Sequence, residues 1–396
     1  MAAPDAAGLL DLSDREVVAD PYPHLARLRS LAPVAWHSTL GVWVATSHAA
    51  CSQVLRERAL GRIFQPRRPV DDWATFNWLH ADSILDSEPP KHTRLRRLVQ
   101  SAFSRGHVAR LQPRVAEIAA RLLDRCDQQL ADSGSFDVIA DYAEPLPVLV
   151  IAELLGWPEE DQHLLRPWSQ AIVRMYELDR TAADEEAARS ACDSFAAYVD
   201  DLAEQRHSRP GEDLLTDLVA VRDGGDRLSA HELVATVVLL LNAGHEASVN
   251  GFGNGLASLI GSRRSPAAAA PLVEEMLRHD SPLHLFERTA TSDVAIQGVT
   301  IARGERVAAL LGAANRDPAV FEAPDEFRPD REPNPHLAFG VGIHFCIGAP
   351  LARLELETSV SALLARHPRL EVVEAVRRPT FVLRGYERLL VAPGGG

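Results

Sequence analysis

The amino-acid sequence predicts a mainly α-helical protein with small β-sheets. Apolar residues recur at helical spacing in several long stretches, and short alternating stretches occur only near the two ends of the chain. The longest helical stretch, 229–257, is apolar on every face at 237–241 and should cross the core. No Gly/Ser-rich linker or internal repeat divides the 396 residues, so we expect a single domain over 1–396, with 1–18 as an N-terminal tail.

The first half of the chain contains a hairpin and then helices. A short amphipathic helix follows Asp20, and residues 34–37 and 42–46 flank a turn and predict a β-hairpin. Residues 64–84 are rich in proline, tryptophan and aspartate and predict a long surface loop. Further helices are predicted over 91–100, 107–131, 145–155 and 182–206.

The second half opens with the core helix. Ser229 and Glu232 form a capping box at its start. Beyond Pro282 the apolar spacing shortens, and short strands are predicted over 294–301, 305–311, 381–384 and 388–391.

Composition excludes several classes of protein. The net charge of −14 argues against nucleic acid as a partner, and the 46% of apolar residues is enough for a substantial core. The N-terminus has no basic, apolar leader, and no run reaches about 18 uncharged apolar residues. We therefore expect no membrane span, a cytoplasmic location and a monomer.

The four cysteines, Cys51, Cys126, Cys192 and Cys346, show no CxxC spacing. A disulfide framework is not indicated, and a reducing compartment is expected. A zinc or iron–sulfur protein is also disfavoured, because Cys346 alone lies in a ligand-type context.

Residues 339–348 read F-G-V-G-I-H-F-C-I-G. A lone cysteine is usually a small buried hydrophobe, but this surrounding pattern favours a thiolate that binds the metal of a flat cofactor. Glycines reduce bulk where the backbone must approach a ring, and the helix predicted over 347–364 directs its N-terminal dipole at the sulfur.

This segment resembles the haem-binding loop of the cytochrome P450 family, and related motifs extend the resemblance from about Asp20 to the C-terminus. The resemblance implies the cytochrome P450 fold and a thiolate-ligated haem b, with Cys346 as the iron ligand. It places Phe339, Gly340 and Gly348 beside the cofactor, and the missing N-terminal anchor points to the soluble bacterial type.

The core helix contains L-N-A-G-H-E-A-S at 241–248, where polar residues interrupt an apolar helix. These could mark a kinked helix with a satisfied polar cluster. The stretch also resembles the family's oxygen-activation motif, in which Ala243 and Gly244 leave room for the haem and Glu246 is an acid able to relay protons.

The family's motif carries a threonine that takes part in proton delivery, and this chain has Ala247 followed by Ser248. Three explanations remain open: a water ordered by Ser248, a hydroxyl of the substrate, or poorly coupled or different chemistry. We hypothesise that ordered water and substrate replace the threonine, with Glu246 and Ser248 assisting at the catalytic site.

The two haem propionates require nearby cations. His92 and Arg96 are spaced i, i+4 and share a helix face, and arginine binds carboxylates bidentately. The resemblance implies that these two, with Arg288 and His344, bind the propionates. It also implies a buried structural triad of Glu275, Arg278 and Arg331.

The substrate should be a small apolar or amphipathic molecule bound over the haem. The resemblance places eight residues at its pocket: Trp73, Phe76, Trp78, Leu240, Leu283, His284, Phe286 and Val382. The sequence has no flavin or nicotinamide fingerprint, so electrons should come from a ferredoxin or flavodoxin with its reductase. This carrier would dock on a basic face formed by Arg94, Arg97, Arg105 and Arg353.

The leading interpretation is a haem-thiolate monooxygenase that inserts one atom of O2, in bacterial secondary metabolism or catabolism. One alternative is a peroxide-driven oxygenase or an oxidase that couples aromatic rings, which Ala247 permits. Another is a haem-thiolate sensor or carrier without turnover.

Overall fold

The computed structural model describes residues 4–100, 105–177, 179–221 and 226–394, with 105–107 as backbone only. Helices dominate these residues, and short 3-10 or π turns lie at 139–143, 159–161 and 174–176. The α-helices are α1 (Arg15–Ala19), α2 (Tyr22–Leu31), α3 (His48–Arg56), α4 (Ala74–Ala81), α5 (Lys91–Gln100), α6 (Arg105–Ser133), α7 (Pro145–Leu155), α8 (Gln162–Val173), α9 (Ala182–Ser208), α10 (Leu214–Ala220), α11 (Ala230–Ser262), α12 (Ala269–His279), α13 (Leu311–Ala314) and α14 (Ala349–Arg366).

The strands form three small sheets. They are β1 (Val34–His37), β2 (Val42–Ala45), β3 (Leu60–Gly61), β4 (Phe136–Asp137), β5 (Leu285–Ala290), β6 (Val294–Ile296), β7 (Val299–Ile301), β8 (Arg306–Leu310), β9 (Leu370–Arg377) and β10 (Tyr386–Pro393). The largest sheet has the order β1-β2-β8-β5-β3, the second β4-β10-β9, and β6 pairs with β7. The predicted fold class, mainly α with small sheets, is confirmed.

Helix α11 forms the centre of the main hydrophobic core and packs on α7, α8, α9, α12 and α14. Ser229 caps it by accepting from Glu232 N–H, and the Glu232 side chain accepts from Ser229 N–H in return. By length and composition α11 could span a membrane, but 67% of its most apolar window is buried inside the protein. Its apolar surface is therefore explained by core packing.

The N-terminal segment is packed, whereas the sequence suggested a tail over 1–18. Ala6, Leu10 and Val17 are buried in a third hydrophobic cluster beside the large sheet. Arg384 donates to the backbone carbonyls of Val18 and Ala19 at 2.9 and 2.8 Å and ties this segment to the C-terminal region.

Two local predictions were wrong, and one strand was missed. The expected loop over 64–84 contains helix α4, in which Phe76 and Leu79 are buried. Residues 381–384 form no strand and make only an isolated bridge between Leu283 and Leu383. Strand β9 was missed, because most of its residues are exposed and give no alternating pattern.

Candidate active site

Cys346 lies in a tight loop directly before helix α14. Its backbone N–H donates to the Phe339 carbonyl at 3.0 Å, which closes the loop. Gly340 and Gly342 adopt φ of 65° and 83°, a region that other residues rarely enter. A Cβ at Gly342 would also lie 2.6 Å from the Leu55 carbonyl oxygen, so glycine is required there. The loop geometry thus follows from the glycines that the sequence places around the cysteine.

The environment of the Cys346 sulfur combines burial with positive potential. Burial raises the pKa of this thiol, while the N–H groups of Gly348 and Ala349 and the guanidinium of Arg96 act in the opposite direction. Gly348 is the N-cap of α14, so the helix N-terminus lies at the sulfur. These groups favour an anionic sulfur, the form that ligates a metal.

Helix α11, on which α14 packs, has an open stripe at its middle. Leu240 and Ala247 are partly exposed and Ala243 is exposed, although the same stretch of helix is otherwise largely buried. Their spacing of three and four residues places them on one face. The stripe has only small side chains at 243 and 247, which leaves space for a flat group. Gly244 faces α7 instead, where a Cβ would lie 2.5 Å from Ile151 Cδ1.

Glu246 is buried and forms an ion pair with Arg378, whose Nη1 lies 2.7 Å from Glu246 Oε2. A second acid, Glu144, lies in the same charged cluster and binds Arg166 at 2.7 Å and Gln170 at 2.6 Å. Burial raises the pKa of Glu144, with Arg166 opposing. Glu144 interacts electrostatically with Glu246 and Arg378, and the side chain of its partner Arg166 is 52% exposed.

The neighbours of Glu246 on the helix differ in environment. His245 is fully buried beside Ser169, and burial lowers its pKa to about 4, so its ring is neutral. Ser248 is buried as well, at 9% exposure. Ala247 offers no hydroxyl, and the next residue along the helix, Ser248, carries one.

Two histidines and a carboxylate meet beside the cysteine loop. The rings of His92 and His344 are 4.3 Å apart, and His344 Nε2 lies 2.9 Å from Glu88 Oε1. Burial, His344 and Arg96 together lower the pKa of His92 to about 4. His92 Nε2 is buried and has no partner among the described residues.

Arg288 carries a buried charge, and no carboxylate among the described residues forms an ion pair with it. Its side chain is 2% exposed, and its recorded hydrogen bond goes to the neighbouring Glu287 carbonyl at 3.1 Å. Burial and the nearby Arg62 lower its pKa to about 9. Within the described ranges neither Arg288 nor Arg96 has a carboxylate partner, and the buried Arg62 Nε is also unpaired.

These observations fit a cofactor with two carboxylates and a thiolate-bound metal. An unpaired buried guanidinium is costly, and an anion at this position would satisfy Arg288 and give His92 Nε2 a partner. His92, Arg96, Arg288 and His344 therefore form a suitable site for two haem propionates. Where the structure is described, no group of three or more His, Cys, Asp or Glu side chains could hold a metal ion.

The residues of the predicted triad come together. Glu275, Arg278 and Arg331 are all buried, and Glu275 lies 2.7 Å from Arg278 and 3.1 Å from Arg331. Arg278 also donates to the carbonyls of Asn315, Pro324 and Glu326. Arg331 donates to those of Glu322, Ala323 and Glu326. The three side chains thus fix the segment that leads into the cysteine loop.

Comparison with known proteins agrees with this geometry. The family model described as Cytochrome P450 matches residues 270–391. Cytochrome P450 107B1 of Saccharopolyspora erythraea is 41% identical over 324 residues, covering 78% of this chain and 77% of the relative. The 6-deoxyerythronolide B hydroxylase of the same organism is 37% identical over 408 residues, covering 97% and 99%.

The chain belongs to the cytochrome P450 family. A solved structure, P450BioI in complex with an acyl carrier protein bearing hexadec-9Z-enoic acid, matches with a TM-score of 0.89, 33% identity, and coverage of 96% of this chain and 99% of that one. The resemblance, the fold and the enzyme class expected from the sequence are confirmed: this is a bacterial-type P450 monooxygenase.

Membership of the P450 family implies a haem bound through a thiolate, whose iron supplies the oxygen chemistry when bound. The residues of this P450 have other tasks. Cys346 would ligate the iron, the cations beside Arg288 would bind and orient the cofactor, and the small residues of the stripe would leave room for it. Glu246 is the acid of the α11 motif that can hold or pass a proton.

The predicted substrate residues of this P450 fall into different settings. Leu240 lies in the open stripe, and the Phe286 ring lies between Arg62 and Arg288, 4.8 and 4.5 Å from their guanidinium carbons. Leu283 and Val382 lie on adjoining segments, where His284 N–H donates to the Val382 carbonyl. Contact of these residues with a substrate stays a prediction.

The other four have close protein partners. Trp73 lies between Arg67 and Arg189, Phe76 stacks on His80, and Trp78 stacks on His231. His284 is fully buried between Tyr22 and Phe381. The packing of Trp73, Phe76 and His284 argues against direct substrate contact, because their surfaces are already covered.

Of the arginines predicted to dock a carrier, two are engaged within the P450. Arg94 pairs with Asp226 and Glu232, and Arg353 pairs with Glu274 at 2.6 Å while covering the Phe339 ring. Arg97 lies in α5, and the Arg105 side chain lies outside the described residues.

Ile343 and Phe345 of the cysteine loop are exposed by 42% and 38%.

Two site residues were missed from the sequence. Arg378 follows β9, 132 residues away from Glu246, and Arg62 lies just after β3, far along the chain from Arg288. Neither arginine lies in the same sequence motif as the residue that it adjoins. Only the tertiary structure brings them together.

Proposed function

We propose that this P450 uses haem b to insert one atom of O2 into a small apolar or amphipathic molecule. One observation supports this most strongly. The Cys346 loop lies beside a site at Arg288 and His92 whose polar groups lack a counter-ion or hydrogen-bond partner among the described residues. A thiolate and a receptor for two carboxylates together match the donor set of haem b. The relative named 6-deoxyerythronolide B hydroxylase supports a role in secondary metabolism.

Electrons come, on this proposal, from a separate ferredoxin or flavodoxin and its reductase, and the protein acts as a cytoplasmic monomer. The sequence contains no fingerprint for a flavin or nicotinamide. The exposed Ile343 and Phe345 on the cysteine loop give a carrier an apolar contact close to the haem ligand.

Glu246 and Ser248 handle protons in place of the missing threonine, together with ordered water and the substrate. Support comes from the buried Glu246–Arg378 pair and from Glu144, which interacts electrostatically with that pair and binds the exposed Arg166. Ala247 offers no hydroxyl, so the hydroxyl must come from one of the other groups.

Ala247 favours a second candidate, a peroxide-driven oxygenase, because that reaction does not require the same proton delivery. Turnover with a surrogate ferredoxin system, NAD(P)H and O2 should be compared with turnover on hydrogen peroxide alone. Product that requires NAD(P)H and O2 supports the monooxygenase. Product formed only with peroxide supports the alternative, and ligand binding without product in either assay indicates a sensor or carrier.

A further inference from the structure

A cavity with a mixed lining lies between α4, α8 and α11. Its enclosed volume is small, about 10 Å³, and it is partly open to solvent. Leu79, Ile172, Val238 and Leu239 provide apolar walls. Asn242, His80 and Tyr176 provide polar groups. On α11 the lining residues Ala235, Val238, Leu239 and Asn242 share one face, which borders the open stripe at Leu240 and Ala243.

Asn242 is the unusual member of this lining. It is 5% exposed, and its Oδ1 is buried without a hydrogen-bond partner in the described protein. A buried amide without a partner is destabilising, so such a group in a cavity indicates a ligand that satisfies it. Because the two amide atoms are interchangeable in assignment, Asn242 can present an acceptor or a donor.

A second polar group in the cavity has defined hydrogen-bonding roles. His80 Nδ1 lies 2.8 Å from the Phe76 carbonyl oxygen, which can only accept, so Nδ1 carries the proton. His80 Nε2 therefore accepts from the Tyr176 hydroxyl at 3.1 Å. The Tyr176 oxygen keeps lone pairs that can accept from a hydroxyl of the ligand.

The cavity carries no unpaired charge in the part of the chain described. Burial lowers the pKa of His80 and raises that of Tyr176, so both are neutral near pH 7. Asp86, which also lines the cavity, is paired with Arg62 at 2.6 Å. No residue that lines the cavity offers a free cation. The negative charge of a bound carboxylate would therefore have no counter-ion here.

We propose that Asn242 and Tyr176 form the polar end of the substrate pocket and select a neutral, largely apolar molecule that carries a hydroxyl or carbonyl oxygen. A fatty acid bound through its carboxylate is excluded by the same lining. This inference rests on the proposed function and narrows its substrate class. It concerns binding, so it can be tested without turnover.

The test uses three imidazoles with alkyl chains of equal length that end in a methyl group, a hydroxyl or a carboxylate. The imidazole ligates the haem iron, so each probe gives a spectral titration while its chain samples the pocket. Several chain lengths are compared. At the best length the wild-type protein should bind the hydroxyl probe more tightly than the other two.

Asn242→Leu should weaken binding of the hydroxyl probe about tenfold, the effect of losing one buried hydrogen bond, and leave the methyl probe unchanged. The variant without ligand should be at least as heat-stable as the wild type, because its amide has no protein partner. The matched control is Asn250→Ala. Asn250 is also a buried amide of α11 without a partner, but Gly385 covers it so closely that a Cβ there would lie 1.9 Å from Asn250 Oδ1.

The proposal is overturned if no chain length gives a hydroxyl preference, if the preference survives in Asn242→Leu, or if the carboxylate probe binds tightest. It is also overturned if Asn242→Leu markedly destabilises the ligand-free protein, which would make the amide structural. A hydroxyl preference without product in any turnover assay would instead contradict the proposed function and leave this inference standing.

Discussion

Arg378 Nη1 lies 2.7 Å from Glu246 Oε2, although 132 residues separate the two in the chain. The pair ties the central helix to the segment after β9. The arginine is also held by the Tyr386 carbonyl, to which its Nε donates at 3.2 Å. The acid of the α11 motif is therefore fixed in orientation by a group that the motif does not contain.

We expect Glu246→Gln to lower product formed per O2 consumed by at least about tenfold, because glutamine keeps the shape but cannot exchange the proton. The measurement compares product, O2 uptake and peroxide release with a surrogate ferredoxin system. Ser248→Ala should lower coupling as well. Unchanged turnover and coupling in both variants would contradict the proposed proton route.

Replacing Arg278 should prevent formation of a stable haem pocket. Arg278→Ala removes the closer of the two arginine partners of buried Glu275, together with the donor to the carbonyls of Asn315, Pro324 and Glu326, and we expect a loss of about 3–5 kcal/mol in the free energy of unfolding. Haem content after expression should fall in parallel. Denaturant unfolding and the ratio of haem to protein absorbance measure the two effects.

Arg328→Ala is the matched control for Arg278→Ala. Its side chain lies in the same segment but forms partly exposed ion pairs with Glu322 and Glu326. Such pairs contribute about 0–1 kcal/mol. Equal haem loss in both variants, or full haem content in Arg278→Ala, would contradict the structural role of the triad.

Arg288→Leu should have opposite effects on the apoprotein and on haem retention. The substitution removes a buried charge without a counter-ion, so the apoprotein should be at least as stable as the wild type. Haem should be lost faster, because a propionate loses its arginine. Transfer of haem to apomyoglobin measures retention, and thermal unfolding measures the apoprotein.

Arg384→Leu provides the contrast for Arg288→Leu. Arg384 is equally buried but is paired with Asp280 at 2.9 Å, so its loss should destabilise the apoprotein by about 3–5 kcal/mol. Strong destabilisation of the apoprotein by Arg288→Leu would show that Arg288 has a structural partner and would contradict its assignment to the cofactor.

Glu355 predicts a pH dependence of stability. It is 3% exposed, and burial raises its pKa from 4.5 to about 8. Between these values the folded state holds a proton that the unfolded state releases, so stability falls as pH rises, by at most about 1.4 kcal/mol for each pH unit. The effect levels off above about pH 8.

We expect Glu355→Gln to remove this slope and to exceed the stability of the wild type at pH 8. Denaturant unfolding from pH 5 to pH 8 measures it, and Glu371→Gln on exposed β9 should keep the wild-type slope. An equal pH dependence of the free energy of unfolding in the wild type and Glu355→Gln would show that Glu355 does not hold the proton that the unfolded state releases.

The sequence predicted best where local signals specify the structure. Helix α7 has the predicted bounds, because proline begins it and Gly156, at φ 67°, ends it. The cysteine loop is equally local. Helix α4 was not predicted, because prolines and aspartates precede it. The roles of Arg62, Arg378 and Asn242 were not predicted either, because segments distant in the chain form their partners or the cavity.

The central claim is that the Cys346 sulfur ligates a haem iron. The most direct test is the difference spectrum of the purified, dithionite-reduced protein with and without carbon monoxide. The account predicts the long-wavelength Soret band of thiolate ligation, and its loss in Cys346→His. A colourless protein, a wild-type spectrum typical of histidine ligation, or an unchanged band in Cys346→His would contradict it.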